Sequence, residues 1–490
     1  MRKALRPALV ATAYVVSRIL AWRAGVRFDD AGLAYLWQLL DPVQLREHPW
    51  QSVWYMHISP PAFNLYVGLI LGWFPGSTTL AFHATYLAAG LTMSLCLYAL
   101  MVRLTVIPWV ATLATIVFVI SPSAICYENW LMYDYPIAVC LVATALAIHV
   151  FVRRGGWLAG FVMASLLAGL PLLRNAYHLV WLLAAIALLL LFARARRRRT
   201  LAVIALPLLV VLVFHAKNWA LFGFFGTSSW AGQNLVHVTT LELPKEERMR
   251  LVAEGVLSPI AGYKKAFLPI TEYAPHLPPP EVTGIPVLDD VYKSTGSVNL
   301  NHKSYLQVAK LCMDDFKATM RVHPEVYFRT QETTWMLFLE SATSTRFIQK
   351  ARVPIEGWNH LYNRYLYGEL TSMTTPQKTA GVWTHVGHAT NWRLKPYFLV
   401  AGIPLAFLYG LIRWLRAWRR RGEDPAFVTT LGFLVMAVAY AALVHNLVAV
   451  GDNHRYRFGT DAFFLTLLAM LGSDVLRALY ARWGAKVLPS

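Results

Sequence analysis

The sequence predicts an all-α integral membrane protein with about ten transmembrane helices, juxtamembrane helices in the first outer loop, and one large outer insertion. Three observations predict it. Of the 490 residues, 57% are hydrophobic and only 14% charged, which excludes a soluble globular enzyme. Apolar runs near twenty residues recur along the chain, and a helix needs ~20 apolar residues to cross ~30 Å of hydrocarbon. Lastly, the arginines behind the net charge of +19 bunch beside those runs, as the positive-inside rule requires, and this argues against a nucleic-acid partner.

The first run, Pro7 to Val26, follows Arg2, Lys3 and Arg6. It lacks a small-x-small cleavage site and contains Arg18, so it reads as an uncleaved first span with a cytoplasmic amino terminus. Further spans are expected at about 80–102, 106–125, 136–152, 157–173, 176–193, 201–216, 396–412, 427–450 and 459–479. Ala62–Phe74 is apolar but about half a membrane long, which fits a juxtamembrane or re-entrant helix. From Lys217 to Lys395 the chain is polar, with Pro278-Pro279-Pro280 and helical segments at Ser304–Met320 and Glu325–Glu340. Insertions this long are usually functional or independently folded. The expected organisation is a transmembrane module with catalytic outer loops over 1–216, an extracytoplasmic loop domain over 217–395, and C-terminal transmembrane helices over 396–490. Cys96, Cys126, Cys140 and Cys312 have neither metal-ligand nor disulfide-framework spacing.

The charges fix an expected orientation. Alternating the spans puts Arg103, Arg153-Arg154, Arg194 with Arg196–Arg199, Arg413, Arg416, Arg419–Arg421, Arg477, Arg482 and Lys486 inside. The same alternation puts Asp29, Asp30, Glu128, Asp134 and Asp452 outside. Both termini are then cytoplasmic, and the expected location is a bacterial-type inner or plasma membrane.

The outer face gathers the polar chemistry. Its first loop carries Asp29, Asp30 and His57, and its second runs from Tyr127 and Glu128 to Asp134. The third carries Arg174 and His178, and the last carries His454, Arg455 and Arg457. A carboxylate can take a proton from a hydroxyl nucleophile, while arginines hold a departing phosphate. Arg174 lies between two spans with no polar stretch around it, and ionisable residues at such depth are functional candidates. Each residue has a plainer reading as well. Asp29 and Asp30 suit a helix cap, His57 with Pro60-Pro61 a turn, Glu128 and Asp134 solvated loop charges, and the arginines headgroup anchors.

Asp29-Asp30 after the first span, His57-Ile58-Ser59-Pro60-Pro61 closing the first outer loop, and an acid in the second outer loop form a pattern. In this pattern the chain resembles the GT-C superfamily of polytopic, polyprenyl-phosphate-sugar-dependent glycosyltransferases. The bacterial branch related to protein mannosyltransferases and aminoarabinose transferases is the nearest likeness. Asn453 to Phe458 resembles that family's late arginine-bearing element, and the likeness covers about 1–200 and 425–480. The family often has Asp-Glu where this chain has Asp29-Asp30.

The resemblance implies a GT-C-like fold and transfer of a sugar from a polyprenyl-phosphate donor to a glycan, lipid or protein hydroxyl. It implies Asp29 as general base supported by Asp30 and Glu128, with His57, Asp134, His454, Arg455 and Arg457 binding substrate, and the outer-loop reading adds Arg174 and His178 to the substrate-binding residues. Members divide over a divalent cation such as Mg or Mn; if one is used, Asp29, Asp30 and Glu128 are the residues implied to hold it. The rival reading is a secondary transporter or flippase of a lipid-linked sugar, which usually carries inverted repeats, and none is visible here. A third is a scaffold or receptor whose insertion is the working part.

Overall fold

Helices occupy all ten of the expected apolar runs. The protein's computed structural model describes residues 2–367, 370–371, 376–379, 382–385, 393–394, 398–420 and 422–484. Arg421 and Lys486 of the expected basic turns, and Lys395 at the insertion's end, lie outside the described residues. Among those described, five helices are long and apolar enough to cross a membrane: Thr78–Arg103, Asp134–Arg154, Arg194–Phe222, Pro425–Val448 and Asn453–Arg482. Pro108–Val119 and Pro122–Glu128 make a sixth if taken as one span, bent by 55°. The bend has a local cause. Proline disfavours the helical conformation at the residue before it, and Ser121 sits extended at ψ 140°. Ser121 Oγ then accepts from Ala124 N at 3.1 Å and starts a new helix with Pro122 in its first turn.

Trp157–Leu173 and Leu179–Phe192 are equally apolar but shorter, at 17 and 14 residues. Arg2–Arg23 and Phe398–Arg419, of 22 residues each, cover the remaining two runs. The half-length run folds as Pro61–Trp73, 13 residues, opened by Pro60-Pro61. Asp134–Arg154 is the central helix. It packs against Thr78–Arg103, Trp157–Leu173, Pro425–Val448 and Asn453–Gly484, and its first residue therefore starts inside the bundle.

The insertion is not packed apart from the bundle. Its buried Trp230, Val236, Tyr305, Val308 and Ile348 belong to the same apolar core as Leu39 and Leu45 of the first loop and Trp130 and Leu141 of the bundle. Its two longer helices, Tyr305–Val322 and Pro324–Leu339, fall on the expected segments. A small satellite core of Leu243, Leu251, Leu257, Ala261 and Val326 lies within it.

Polar staples fasten the insertion to the first loop, and they matter for the site. The Lys293 ammonium donates to Leu36 O at 2.9 Å, and Lys217 donates to Met56 O at 2.8 Å. Asn301 Oδ1 accepts from His57 N at 2.8 Å, while Asn301 Nδ2 donates to Tyr55 O at 3.1 Å. Ser229 N donates to His57 O at 2.8 Å, and Ser228 Oγ to Ile58 O at 2.7 Å. Each backbone carbonyl bonded here would otherwise be an unpaired acceptor in a loop that carries no regular ladder.

Candidate functional site

Three helix ends meet at one carboxylate. Asp134 is the first residue of the central helix, where a negative charge is favoured by the helix dipole. Arg174 stands just past the end of Trp157–Leu173 in extended backbone, and Arg455 lies in the first turn of Asn453–Gly484. Arg174 Nη1 donates to Asp134 Oδ1 at 3.1 Å, and Arg455 Nε lies 3.8 Å from the same oxygen. Tyr456 adds a ring for both cations. The Arg174 guanidinium is 4.3 Å from its centroid and the Arg455 guanidinium 5.0 Å.

The cluster is buried yet incompletely paired. Asp134 is 2% exposed, Arg174 5% and Arg455 4%. Among the described residues Asp134 Oδ2 has no hydrogen-bond partner and neither has Arg455 Nε. Arg455 lies near Asp452 as well, but at 3.9 Å, beyond hydrogen-bond reach. Leaving a buried charged donor unbonded costs more than a neutral one, so such groups in native proteins call for a partner.

Arg174, Arg455 and Tyr456 stand on the wall of a cavity of about 1430 Å³ between the bundle, the first loop and the insertion. Its lining includes four arginines (Arg174, Arg346, Arg352 and Arg455) against two carboxylates, Glu340 and Asp452. The electrostatic bias is toward an anion. The lining also includes Trp37, Trp230 and Phe267, whose rings pack on one another at 5.0 Å. Comparison with protein-family models, with curated proteins and with solved structures finds no match.

Of the residues singled out in the sequence, Arg174, His178, His454 and Arg455 line this cavity, and Asp134 backs it. The others lie elsewhere. Glu128, expected to support the base, is fully buried in a different place. Arg18 grips it with two hydrogen bonds at 2.7 and 3.0 Å, and the Tyr14 and Tyr135 hydroxyls donate to Oε2 at 3.0 and 2.5 Å. Both its oxygens are engaged, Oε1 by one donor and Oε2 by three. Arg457 is likewise consumed. It bonds Asp461 at 2.9 Å, the Tyr367 hydroxyl at 3.0 Å and the Phe338 carbonyl, one helical position round from the cavity wall.

His57 is not a cavity residue either. Its ring is wholly buried, with Nδ1 2.9 Å from Ser229 Oγ and Nε2 3.0 Å from Asn301 O. Burial pushes this imidazole down to about 3, so it is a neutral latch between loop and insertion. Asp29 N donates to Asn129 O at 2.8 Å and Leu131 N to Asp29 O at 2.9 Å, and these bonds set Asp29 beside Trp130. The Trp130 ring in turn lies 5.8 Å from the Arg455 guanidinium. Asp29 is not among the residues that line the cavity, and its Oδ1 is 3.0 Å from the exposed Lys350 Nζ. Asp30 accepts from Thr79 Oγ1 at 2.5 Å. The trio named for a divalent ion does not converge, since Glu128 is taken by Arg18; among the described residues no cluster of three or more metal-binding side chains forms.

One wall residue carried no sequence signal at all. Glu340 follows the insertion helix Pro324–Leu339 and faces the cavity, with Oε2 3.9 Å from His454 Nδ1. Burial raises its carboxyl to about 7, with Arg457 pulling the other way.

Proposed function

We propose that this chain is a GT-C-type membrane glycosyltransferase. It moves a sugar from a polyprenyl-phosphate donor to a hydroxyl on a glycan, lipid or protein at the extracytoplasmic face of a bacterial-type plasma membrane. The proposal includes ten spans, cytoplasmic termini, and an outer first loop and insertion. The observation that carries it is Arg455, a guanidinium 4% exposed on the wall of a large cavity, with no side-chain hydrogen bond to the described protein. Beside it Arg174 spends one donor on Asp134 and shares the Tyr456 face. Two guanidiniums oriented by one carboxylate and one ring suit a phosphate, which accepts from planar forks.

In this reading Arg174 and Arg455 hold the phosphate as the glycosidic carbon–oxygen bond breaks through an oxocarbenium-like transition state. The site's position at the ends of membrane helices suits a donor whose isoprenoid tail stays in lipid. A transporter of lipid-linked sugar would use the same cations without breaking a bond.

The test is binding and turnover of undecaprenyl-phosphate hexoses by the full-length protein in nanodiscs. Wild type is expected to bind the donor and release undecaprenyl phosphate. Arg455→Ala should bind it ~10- to 100-fold more weakly, the span of a lost charge-assisted bond, and Arg455→Lys should recover part of this. Binding without release would favour transport. No binding by the wild type would end both readings.

A further inference from the structure

We infer that Glu340 of the insertion is the proton acceptor for the incoming hydroxyl, with His454 as its positioning residue; the inference rests on the glycosyltransferase reading of the same cavity. The geometry singles Glu340 out. Of the two carboxylates on the wall, Asp452 already accepts from Thr345 Oγ1 at 3.2 Å and adjoins Arg455 at 3.9 Å. Glu340 accepts no hydrogen bond from any described residue, and its side chain keeps 24% of its surface open. The imidazole beside it is 5% exposed, and neither ring nitrogen has a hydrogen-bond partner among the described residues. A buried, unbonded imidazole and a free carboxylate 3.9 Å apart therefore share the wall that carries Arg455.

The remaining acids lack this combination. Glu128 is enclosed by Arg18 and two tyrosines, Asp134 is bonded to Arg174, and Asp29 is paired with Lys350 away from the cavity lining.

The step balances without another reactant. The acceptor oxygen forms its bond to the anomeric carbon while its proton passes to Glu340. The bond from that carbon to the phosphate oxygen breaks, and its electron pair leaves with the phosphate held by Arg174 and Arg455. Glu340 then returns the proton to water. A general base is most effective when its affinity for protons matches the working pH, and a carboxyl raised to about 7 by burial meets this condition. The charged and titratable groups around it are His454 and Arg457 on one helix, with Asp452 and Arg455 on the same cavity wall.

The experiment uses full-length wild type, Glu340→Gln, Glu340→Asp, His454→Gln and Asp29→Asn in nanodiscs. Undecaprenyl phosphate is the binding probe, and the donor is whichever undecaprenyl-phosphate hexose the wild type consumes. Glu340→Gln should bind undecaprenyl phosphate as wild type does, which reports an intact fold, yet lose ~10²–10⁴-fold in kcat. Glu340→Asp should recover part of the rate and move the acid limb of the kcat–pH profile. His454→Gln should shift that limb with a smaller loss of rate. Wild-type kcat and an unmoved pH profile in the Glu340 variants would overturn the assignment, as would a loss of kcat confined to Asp29→Asn. Should the wild type neither bind undecaprenyl phosphate nor consume any donor, the glycosyltransferase reading itself falls, an outcome distinct from either of these.

Discussion

Two buried charge clusters in this protein use the same residue types in opposite ways. At Arg18–Glu128 every strong group is answered. The guanidinium bonds both carboxylate oxygens, Val119 O and Ser17 Oγ, and two tyrosine hydroxyls complete the carboxylate. At Arg174–Asp134–Arg455 three charges share a single hydrogen bond, at 3.1 Å, and a carboxylate oxygen and a guanidinium nitrogen go without. Burial alone therefore does not separate structure from function: Glu128 and Asp134 are 0% and 2% exposed. Completeness does. A closed network has nothing left to offer a ligand, whereas an open one on a cavity wall costs stability until something binds.

Unpairing the closed cluster should have the largest effect. Arg18→Leu leaves Glu128 buried without its cation, and losing one partner of a buried pair typically costs ~3–5 kcal/mol. The double variant Arg18→Leu/Glu128→Leu should regain most of that, since apolar replacements of buried pairs are often neutral. Thermal unfolding in one detergent gives both values, and transfer assays on the double variant complete the test. If it is stable but inert, Glu128 has a chemical role that its enclosure hides. A single variant as stable as wild type would mean that the pair contributes little.

The open cluster should respond in the other direction. Arg455→Met removes a buried, unbonded charge while keeping an apolar stem of similar length, so the unliganded protein should gain ~1–3 kcal/mol. The same variant should lose most of its affinity for undecaprenyl phosphate. Stability gained together with binding lost is the mark of a ligand site. Loss of both would make Arg455 a structural residue, and the contrast between the clusters would vanish.

The two clusters also mark where sequence reading ends. Helices were legible because ~20 apolar residues in a row admit few alternatives, and all ten runs fold as helices. The arginines of the late loops were legible as a group because cations in loops expected outside would run against the charge bias. Which carboxylate they meet was not. Glu128 and Asp134 are six residues apart and equally acidic, and their partners lie 110 and 40 residues away in sequence. Glu128 ends the short helix that follows the bend at Ser121, and there it meets Arg18. Arg457 was similarly ambiguous, since two positions along a helix rotate a side chain by ~200°. In the insertion the difficulty is of another kind. Glu340 ends a helix that the sequence does predict, but no pattern tells what that end faces, and the contacts that Ser229 and Asn301 make to His57 lie in segments without periodicity.

His57 offers the finest test, because its cluster is neutral and closed. Its ring is bonded on both nitrogens and held at about 3 by burial, whereas an unfolded histidine titrates near 6.5. A depressed value means that the unfolded state binds the proton more tightly. The latch therefore contributes fully above about pH 6.5 and weakens as pH falls from there toward 3. At pH 5.5 the loss should be on the order of 1 kcal/mol relative to neutral pH. His57→Asn should start lower at pH 7.5, with a shallower slope below 6.5 in thermal unfolding followed against pH. The protection of the Ser229 and Asn301 amides, taken relative to their intrinsic exchange rates, should fall with acid in the wild type alone. Parallel acid slopes in the two proteins would mean that His57 is protonated in the folded state, and the loop and insertion are then joined mainly by Lys217, Lys293 and Asn301.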